Sequence, residues 1–165
     1  MKMIFKFKFL IALVFAACIS SVRMYAHEIN FISGDFQAAR EQAKVSQKLI
    51  FVDAYTTWCG PCKWMAKNVF TTPEVAAFYN ENFVCLKLDM EKGQGLEFAQ
   101  KYDVNSYPTF LFLDAEGNRV HQTCGRKEAT AFMKDGKDAL VPETQLINFQ
   151  RKYDKGGEME FAFLK

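Results

Sequence analysis

The chain is poor in the residues that build most metal and nucleic-acid sites. It holds two histidines among 165 residues, and these, His27 and His121, are isolated in the sequence. No cluster of lysine or arginine is present that could displace the counterions of a phosphate backbone, which excludes a nucleic-acid surface. The sequence also contains no internal repeat, low-complexity tract or block of like charge. At this length, with 50% hydrophobic residues, one globular domain is expected.

The N-terminus carries the pattern of an export signal. Lysines at positions 2, 6 and 8 precede an apolar run over residues 9–19, which is too short to span a bilayer comfortably. This pattern predicts a secretory signal peptide over residues 1–26, cleaved after Ala26, with a retained membrane anchor as the alternative. The segment Phe-Ala-Ala-Cys ending at Cys18 also resembles a lipoprotein signal box, in which Cys18 would carry a lipid anchor.

The predicted mature chain has a different charge balance from the precursor. Loss of residues 1–26 changes 21 basic and 19 acidic residues into 17 and 19, so the exported protein is slightly acidic. We expect a single domain over residues 27–141 and a C-terminal helical extension over residues 142–165.

Hydrophobic periodicity predicts strands that alternate with helices. The nearly all-apolar run at residues 49–54 is typical of a central strand buried on both faces. Strands are expected at 29–33, 49–54, 83–88, 109–113 and 119–124, the last two forming a hairpin. Helices are expected from the cap Asp35 to about 46, from Gly60 to about 70, from the cap Thr72 to about 82, at 96–102, at 128–140 and beyond Pro142. This order predicts an α/β sandwich with a mixed sheet.

The segment Cys59-Gly60-Pro61-Cys62 follows the predicted central strand and opens a helix. Its first sulfur would lie over unpaired N–H groups at the positive end of the helix dipole, where a thiolate is favoured. Cys59 could then attack a disulfide, and Cys62, one turn further along, could release the mixed disulfide.

A zinc site and a purely structural disulfide are the other interpretations of the two cysteines. Zinc would require a second cysteine pair or matching histidines, which the sequence lacks. A disulfide across so short a loop would contribute little stability. We therefore expect no metal and no cofactor.

Three segments resemble the thioredoxin family over roughly residues 30–141. They are Phe51-Val52-Asp53, the segment Trp58-Cys59-Gly60-Pro61-Cys62-Lys63, and Ser106-Tyr107-Pro108-Thr109 before a strand. The segment Phe70-Thr71-Thr72-Pro73-Glu74-Val75 is similar to exported members akin to the C-terminal domain of the membrane thiol:disulfide interchange reductase. The resemblance implies a thioredoxin fold with a central mixed sheet of four to five strands flanked by helices.

The resemblance also implies roles for residues outside the cysteine pair. Pro108 matches the family's cis-proline, which faces the cysteines and lets the adjacent backbone pair with substrate. Asp53 matches the buried acid that accepts a proton from the second cysteine, and Lys87 matches the partner of that acid. An ordinary trans proline and a lysine that only reaches solvent are the alternatives.

We assign substrate contact to residues around Cys59 and Cys62. Trp58 is expected to form an exposed aromatic platform, and Gly60 and Pro61 to lie at the same surface. Tyr107 departs from the small or aliphatic residue that the family commonly has before its cis-proline, and we expect it to narrow the groove. Trp64 and Tyr55 are interpreted as packing residues.

Two other cysteines, Cys85 and Cys124, lie on different predicted strands. If the sheet order follows the family, three strand spacings of about 4.8 Å separate them, which is beyond the reach of a disulfide. We therefore expect two free, mostly buried thiols.

The sequence thus predicts a monomeric, periplasmic protein-disulfide reductase that acts on protein disulfides and is recharged by a membrane electron donor. A disulfide oxidase or isomerase is the second hypothesis, and a peptide-binding module without turnover is the third.

Overall fold

The computed structural model describes residues 28–154. Its strands are β1 (Phe31–Ser33), β2 (Leu49–Tyr55), β3 (Phe83–Asp89), β4 (Thr109–Leu113) and β5 (Arg119–Cys124). Its helices are α1 (Phe36–Ser46), α2 (Gly60–Asn68), α3 (Pro73–Asn82), α4 (Gln94–Tyr102), α5 (Ala129–Leu140) and α6 (Leu146–Asp154), with a 3-10 turn at Pro142–Thr144. The predicted order of elements is confirmed, with boundaries that differ by one or two residues. The predicted signal peptide, the lipid site at Cys18 and residues 155–165 of the extension lie outside the described residues.

The sheet is mixed, with strand order β1-β3-β2-β4-β5. β1, β3 and β2 run parallel, whereas β4 is antiparallel to β2 and β5 is antiparallel to β4. β2 lies at the centre because its residues are apolar on both faces, with Asp53 as the exception. This is the predicted thioredoxin fold.

Helices cover both faces of the sheet. On one face Met65 of α2, Val75 of α3 and Phe132 of α5 pack against Phe51 and its neighbours. On the other face α1 and α4 cover the remaining apolar side chains of the sheet, among them Ile50, Val52 and Leu86. The result is a three-layer α/β/α arrangement in which alternate residues of β2 enter opposite halves of the core.

The helix starts follow local sequence signals. The carboxylate of Asp35 accepts a hydrogen bond from Ala38 N–H at 2.9 Å and caps α1 as predicted. Thr72 precedes α3, but its side chain does not cap that helix. Its hydroxyl instead donates to the carbonyl of Asn68 at 3.2 Å, so the predicted threonine cap is wrong in its contact. Pro73 still begins the helix, where a missing N–H costs nothing.

The described part of the extension lies against the edge of the sheet. The backbone N–H of Leu146, at the start of α6, donates to Nδ1 of His121 on β5 at 3.3 Å. Gln145 anchors the preceding turn, since its side-chain amide donates to the carbonyl of Ala139 at 2.8 Å. Over residues 28–154, no helix combines the length and the apolar character needed to cross a membrane.

Among residues 28–154, the two cysteines outside the paired segment, Cys85 and Cys124, are free, as expected. Cys85 lies on β3 and Cys124 on β5, three strand positions apart in the sheet. Cys85 is buried, and burial raises the pKa of its thiol well above the ordinary range. Cys124 is exposed, so its predicted burial is wrong. Cys124 is the last residue of the edge strand β5, whose residues are only partly buried.

We expect thiol labelling to separate these two cysteines. In the native, unreduced protein, iodoacetamide should modify Cys124. Cys85 should react at least about 100-fold more slowly than Cys124, because a buried thiol reacts only through local opening. Peptide mapping by mass spectrometry measures both, with and without urea. In a Cys124→Ser control, residues 28–154 should remain unmodified until urea is added. A Cys85–Cys124 disulfide in the mapped peptides would contradict the strand order.

Candidate active site

A disulfide joins Cys59 and Cys62 at the start of α2. Cys59 is the last residue before the helix, with extended backbone angles, and its sulfur accepts a hydrogen bond from Cys62 N–H at 3.1 Å. Gly60 and Pro61, both exposed, form the first turn between the two sulfurs. The side chains of both cysteines are nearly covered, with 3% and 5% of the residue surface accessible. The sulfur pair therefore lies just below the surface, at the positive end of the helix dipole.

The peptide bond between Tyr107 and Pro108 is cis, as the resemblance implied. Pro108 is buried and precedes Thr109, the first residue of β4, which pairs with Ala54 near the end of β2. β2 leads directly into the loop that carries Cys59. Pro108 and the disulfide therefore lie at the same end of the sheet, where β2 ends and β4 begins. The carbonyl of Pro108 accepts a hydrogen bond from Gly125 N–H at 2.8 Å, which ties this loop to the chain after β5.

Trp58 is an exposed platform beside the disulfide, as predicted, with 63% of its surface accessible. Its indole N–H donates to both carboxylate oxygens of Glu91, each at 2.9 Å. Its ring meets the Tyr107 ring edge-on, with 5.9 Å between centroids. These two contacts hold the indole in one orientation, and they place a negative charge and two aromatic rings on the same side of the groove.

Asp53 is a buried carboxylate in the middle of β2. Its Oδ2 lies 3.7 Å from the ammonium of Lys87, the residue directly opposite on β3. Its Oδ1 has no hydrogen-bond partner among the described residues. Lys87 is partly exposed and lies over the ring of Tyr55, with 4.7 Å from Nζ to the ring centroid. The predicted pairing of acid and lysine is therefore present, although the ion pair is long and satisfies one carboxylate oxygen.

Burial dominates the electrostatics of this pair. Desolvation raises the pKa of Asp53 from 3.8 to about 6, and the positive charge and hydrogen bond of Lys87 offset part of that rise. A carboxyl group with such a pKa can hold or release a proton near neutral pH.

A cavity of about 230 Å³ connects the lysine to the second cysteine. It is lined by Tyr55, Thr56, Thr57, Cys62, Lys63, Ala66 and Lys87. The hydroxyl of Thr56 is buried without a hydrogen-bond partner among the described residues. The cavity exceeds the roughly 30 Å³ that a water molecule occupies in the liquid, and its lining includes polar groups. The surface of this cavity is mainly apolar, and it brings Lys87, the partner of Asp53, to the same space as Cys62.

Sequence reasoning missed two residues of this site. Glu91 belongs to the loop after β3, and no sequence signal links it to Trp58, 33 positions away. Thr56 follows β2 and is an ordinary residue for a strand end. Neither residue belongs to a motif, because their positions depend on how the loops at the end of the sheet fold together.

The comparisons with known proteins agree with this geometry. Residues 31–115 match the sequence model of a family described as thioredoxin-like. Thioredoxin-1 of Drosophila melanogaster is 46% identical over 81 residues, which are 49% of this chain and 70% of the fly protein. The thiol:disulfide interchange protein DsbD of Vibrio vulnificus is 32% identical over 123 residues, which are 70% of this chain but 21% of DsbD.

Several solved structures are similar to this chain over most of their own length. The solution structure of a candidate disulphide-isomerase from Bacteroides thetaiotaomicron has 44% sequence identity and a TM-score of 0.63. The similarity covers 70% of this chain and 95% of the Bacteroides protein. The shared region therefore corresponds to a complete small domain, whereas the match to DsbD corresponds to one part of a longer protein.

The raised pKa of Asp53 has a consequence for stability. Because the folded state binds this proton more tightly than the unfolded state, stability falls as pH rises from about 4 to about 6. At 1.36 kcal/mol per unit, the shift corresponds to roughly 3 kcal/mol. We therefore expect Asp53→Asn to leave the free energy of unfolding of the oxidised protein unchanged at pH 3.5 and to raise it by about 2–3 kcal/mol at pH 7.5. Urea unfolding at the two pH values measures this difference.

A surface substitution provides the control for this measurement. Glu116→Gln removes an exposed carboxylate from the turn between β4 and β5, and it should leave the unfolding free energy within about 0.5 kcal/mol of the parent at both pH values. An equal gain for Asp53→Asn at pH 3.5 and pH 7.5 would show that the buried charge is not the cause.

Proposed function

This chain belongs to the thioredoxin-like family of thiol:disulfide oxidoreductases, and from that premise we propose that it reduces disulfides of other proteins outside the cytoplasm. The observation that carries the proposal is the Cys59–Cys62 disulfide at the first turn of α2, beside the cis-peptide at Pro108. A reversible disulfide at such a place transfers two electrons without a cofactor.

The first step is attack by the reduced form of Cys59. Its thiolate attacks one sulfur of the substrate disulfide, so a mixed disulfide forms and the other substrate sulfur leaves as a thiolate. The helix dipole and the N–H of Cys62, which lies 3.1 Å from the sulfur, favour the negative charge on Cys59 before attack.

The second step is release by Cys62. Its thiolate attacks the Cys59 sulfur, the bond between Cys59 and the substrate breaks, the substrate sulfur leaves as a thiolate, and the Cys59–Cys62 disulfide remains. Cys62 must lose its proton for this step, and we assign the acceptor role to Asp53, whose pKa of about 6 suits a base near neutral pH. Cys62 borders the same cavity as Lys87, the partner of Asp53, and this cavity is the proposed route for that proton.

The surface around the sulfurs would position an extended substrate segment. The backbone before Pro108 can pair with such a segment, in the manner of a strand added to a sheet edge. Trp58 and Tyr107 supply aromatic surface on one side of it, and Gly60 and Pro61 leave the approach to Cys59 open. Both glycine and proline are exposed here, and nothing lies within 4 Å of a Cβ built on Gly60.

The N-terminal pattern and the similarity to DsbD support export and recharging by a membrane partner as parts of the proposal. A chain with a signal peptide over residues 1–26 would work in the periplasm, and the similarity to a thiol:disulfide interchange protein supports protein disulfides as substrates. Since each cycle leaves the chain oxidised, a membrane electron donor would have to return two electrons. A lipid at Cys18 would keep the protein near that donor.

Disulfide isomerisation is the second candidate, because the similar Bacteroides structure carries that designation. The two activities place different demands on Cys62. Reduction needs it to release the substrate, whereas an isomerase can complete its cycle when another substrate cysteine attacks the mixed disulfide.

Substitution of each cysteine tests the chemistry. With dithiothreitol as electron source, Cys59→Ser should lower the rate of insulin reduction at least about 100-fold, since the nucleophile is lost. Pre-reduced Cys62→Ser, mixed with substrate after the dithiothreitol is removed, should accumulate a mixed disulfide that is visible as a covalent adduct on a non-reducing gel, because the intramolecular release step is worth several powers of ten. Cys124→Ser is the matched control and should keep the parental rate.

Other outcomes distinguish the competing functions. If the parent reduced insulin no faster than dithiothreitol alone, and Cys59→Ser bound peptide as well as the parent, thiol chemistry would be contradicted and a peptide-binding module favoured. The isomerase would be favoured if Cys62→Ser still rearranged the disulfides of a scrambled protein and the parent reduced insulin only weakly.

The reduction potential tests the direction of electron flow. Thioredoxin has a potential of about −270 mV, whereas the strong oxidant DsbA has about −120 mV. For a reductase we expect a value within about 40 mV of thioredoxin, measured from Trp58 fluorescence in glutathione or dithiothreitol buffers. A value near that of DsbA would remove the reductase proposal and leave the oxidase.

A further inference from the structure

The loops around the disulfide carry a negative charge at Glu91 and a positive charge at Arg126, and we propose that Arg126 selects substrates with an acidic side chain close to the cysteine that is attacked. This inference rests on the proposed function, because it concerns which disulfides Cys59 would meet.

Arg126 lies beside the cis-proline loop. The N–H of its neighbour Gly125 donates to the carbonyl of Pro108 at 2.8 Å. On the other side, Lys127 N–H reaches the sulfur of Met65 in α2 at 3.3 Å. The three residues 125–127 therefore bridge the cis-proline loop and the active-site helix, and Arg126 is the middle one.

The guanidinium of Arg126 is held in place by Trp64. Its central carbon lies 3.8 Å from the centroid of the indole ring, which is cation–π contact. Trp64 follows Cys62 by two residues in α2 and packs against the apolar core, so the platform is fixed relative to the sulfurs. A guanidinium oriented in advance loses less entropy when it binds a carboxylate.

Arg126 also keeps hydrogen-bonding capacity for a partner. Its one ion pair within residues 28–154 is with Glu128, at 3.7 Å, and both side chains are exposed, by 51% and 72%. A long pair between exposed groups contributes little and is readily exchanged. Lys127 differs, because its ammonium pairs with the largely covered carboxylate of Asp135 at 3.1 Å. Arg126 is thus the cation of this segment that can bind a substrate carboxylate through two parallel N–H donors.

Glu91 follows β3 and Arg126 follows β5, and these two strands flank the β2–β4 pair on opposite sides. Glu91 is held by the indole N–H of Trp58, which also contacts Tyr107. An acidic substrate residue on that side would meet a carboxylate, whereas on the other side it would meet Arg126. The two charges therefore favour one placement of the acid along the peptide, by repulsion as well as attraction.

Peptide disulfides of defined sequence test this selection. The substrates are disulfide-linked dimers of an alanine-based heptapeptide with a central cysteine. Each peptide carries a single glutamate, placed one or two positions before or after the cysteine. Matched dimers carry glutamine instead. The measured quantity is the second-order rate constant for oxidation of the reduced protein by each dimer, followed by tryptophan fluorescence.

For at least one position, we expect the glutamate dimer to react about fivefold faster than the glutamine dimer, which corresponds to about 1 kcal/mol. Arg126→Gln should remove this ratio, and Arg126→Glu should invert it. High salt should reduce it in the parent, because the pair is solvent-exposed. Lys44→Gln, which removes an exposed cation from α1 at the opposite end of the sheet, is the control and should leave the ratio unchanged.

The outcomes separate this inference from the proposed function. Equal rates for all dimers, or a glutamate preference that persists in Arg126→Gln, would overturn the role of Arg126 while disulfide exchange stands. If no dimer oxidised the reduced protein at all, the proposed function would fail and the inference with it.

Discussion

Cys59 stands immediately before α2, and its sulfur accepts a hydrogen bond from the N–H of Cys62, one turn into the helix. That arrangement requires three things of the fold. β2 must end where the loop to Cys59 begins, the helix must start at Gly60, and the first turn must tolerate Pro61. The rest of the site is arranged around the charge that this helix start favours, because an ionised sulfur there is what makes disulfide exchange fast at neutral pH.

The same strand that positions Cys59 also carries the least favourable group in the core. Asp53 is flanked along β2 by apolar residues, and its one described polar partner, Lys87, is 3.7 Å away. Burial of this carboxylate lowers stability at neutral pH. A charge in this position is expected where chemistry requires it, since an apolar residue would pack better in a central strand. Stability and proton transfer thus make opposite demands on one residue.

The proposed substrate surface consists of loops that are distant in sequence. The segment after β2 supplies Trp58, the loop after β3 supplies Glu91, the cis-peptide loop supplies Tyr107, and the chain after β5 supplies Arg126. Each aromatic ring next to the sulfurs is oriented by a charged group or by another ring. Such fixed orientation reduces the entropy lost on binding and gives the two sides of the groove different charge.

Periodicity and turn residues in the sequence determined the order of strands and helices, because they report which residues of each segment are apolar. The motif around Cys59 indicated thiol–disulfide exchange, and the resemblance led to the cis bond at Pro108 and to the pairing of Asp53 with Lys87. Tertiary structure alone decided that Glu91 holds Trp58, that Arg126 stacks on Trp64, and that Cys124 is exposed at the sheet edge. The physical reason is that each of these depends on contacts, or on missing contacts, between residues far apart in the chain, whereas a sequence pattern reports the burial preference of one segment at a time.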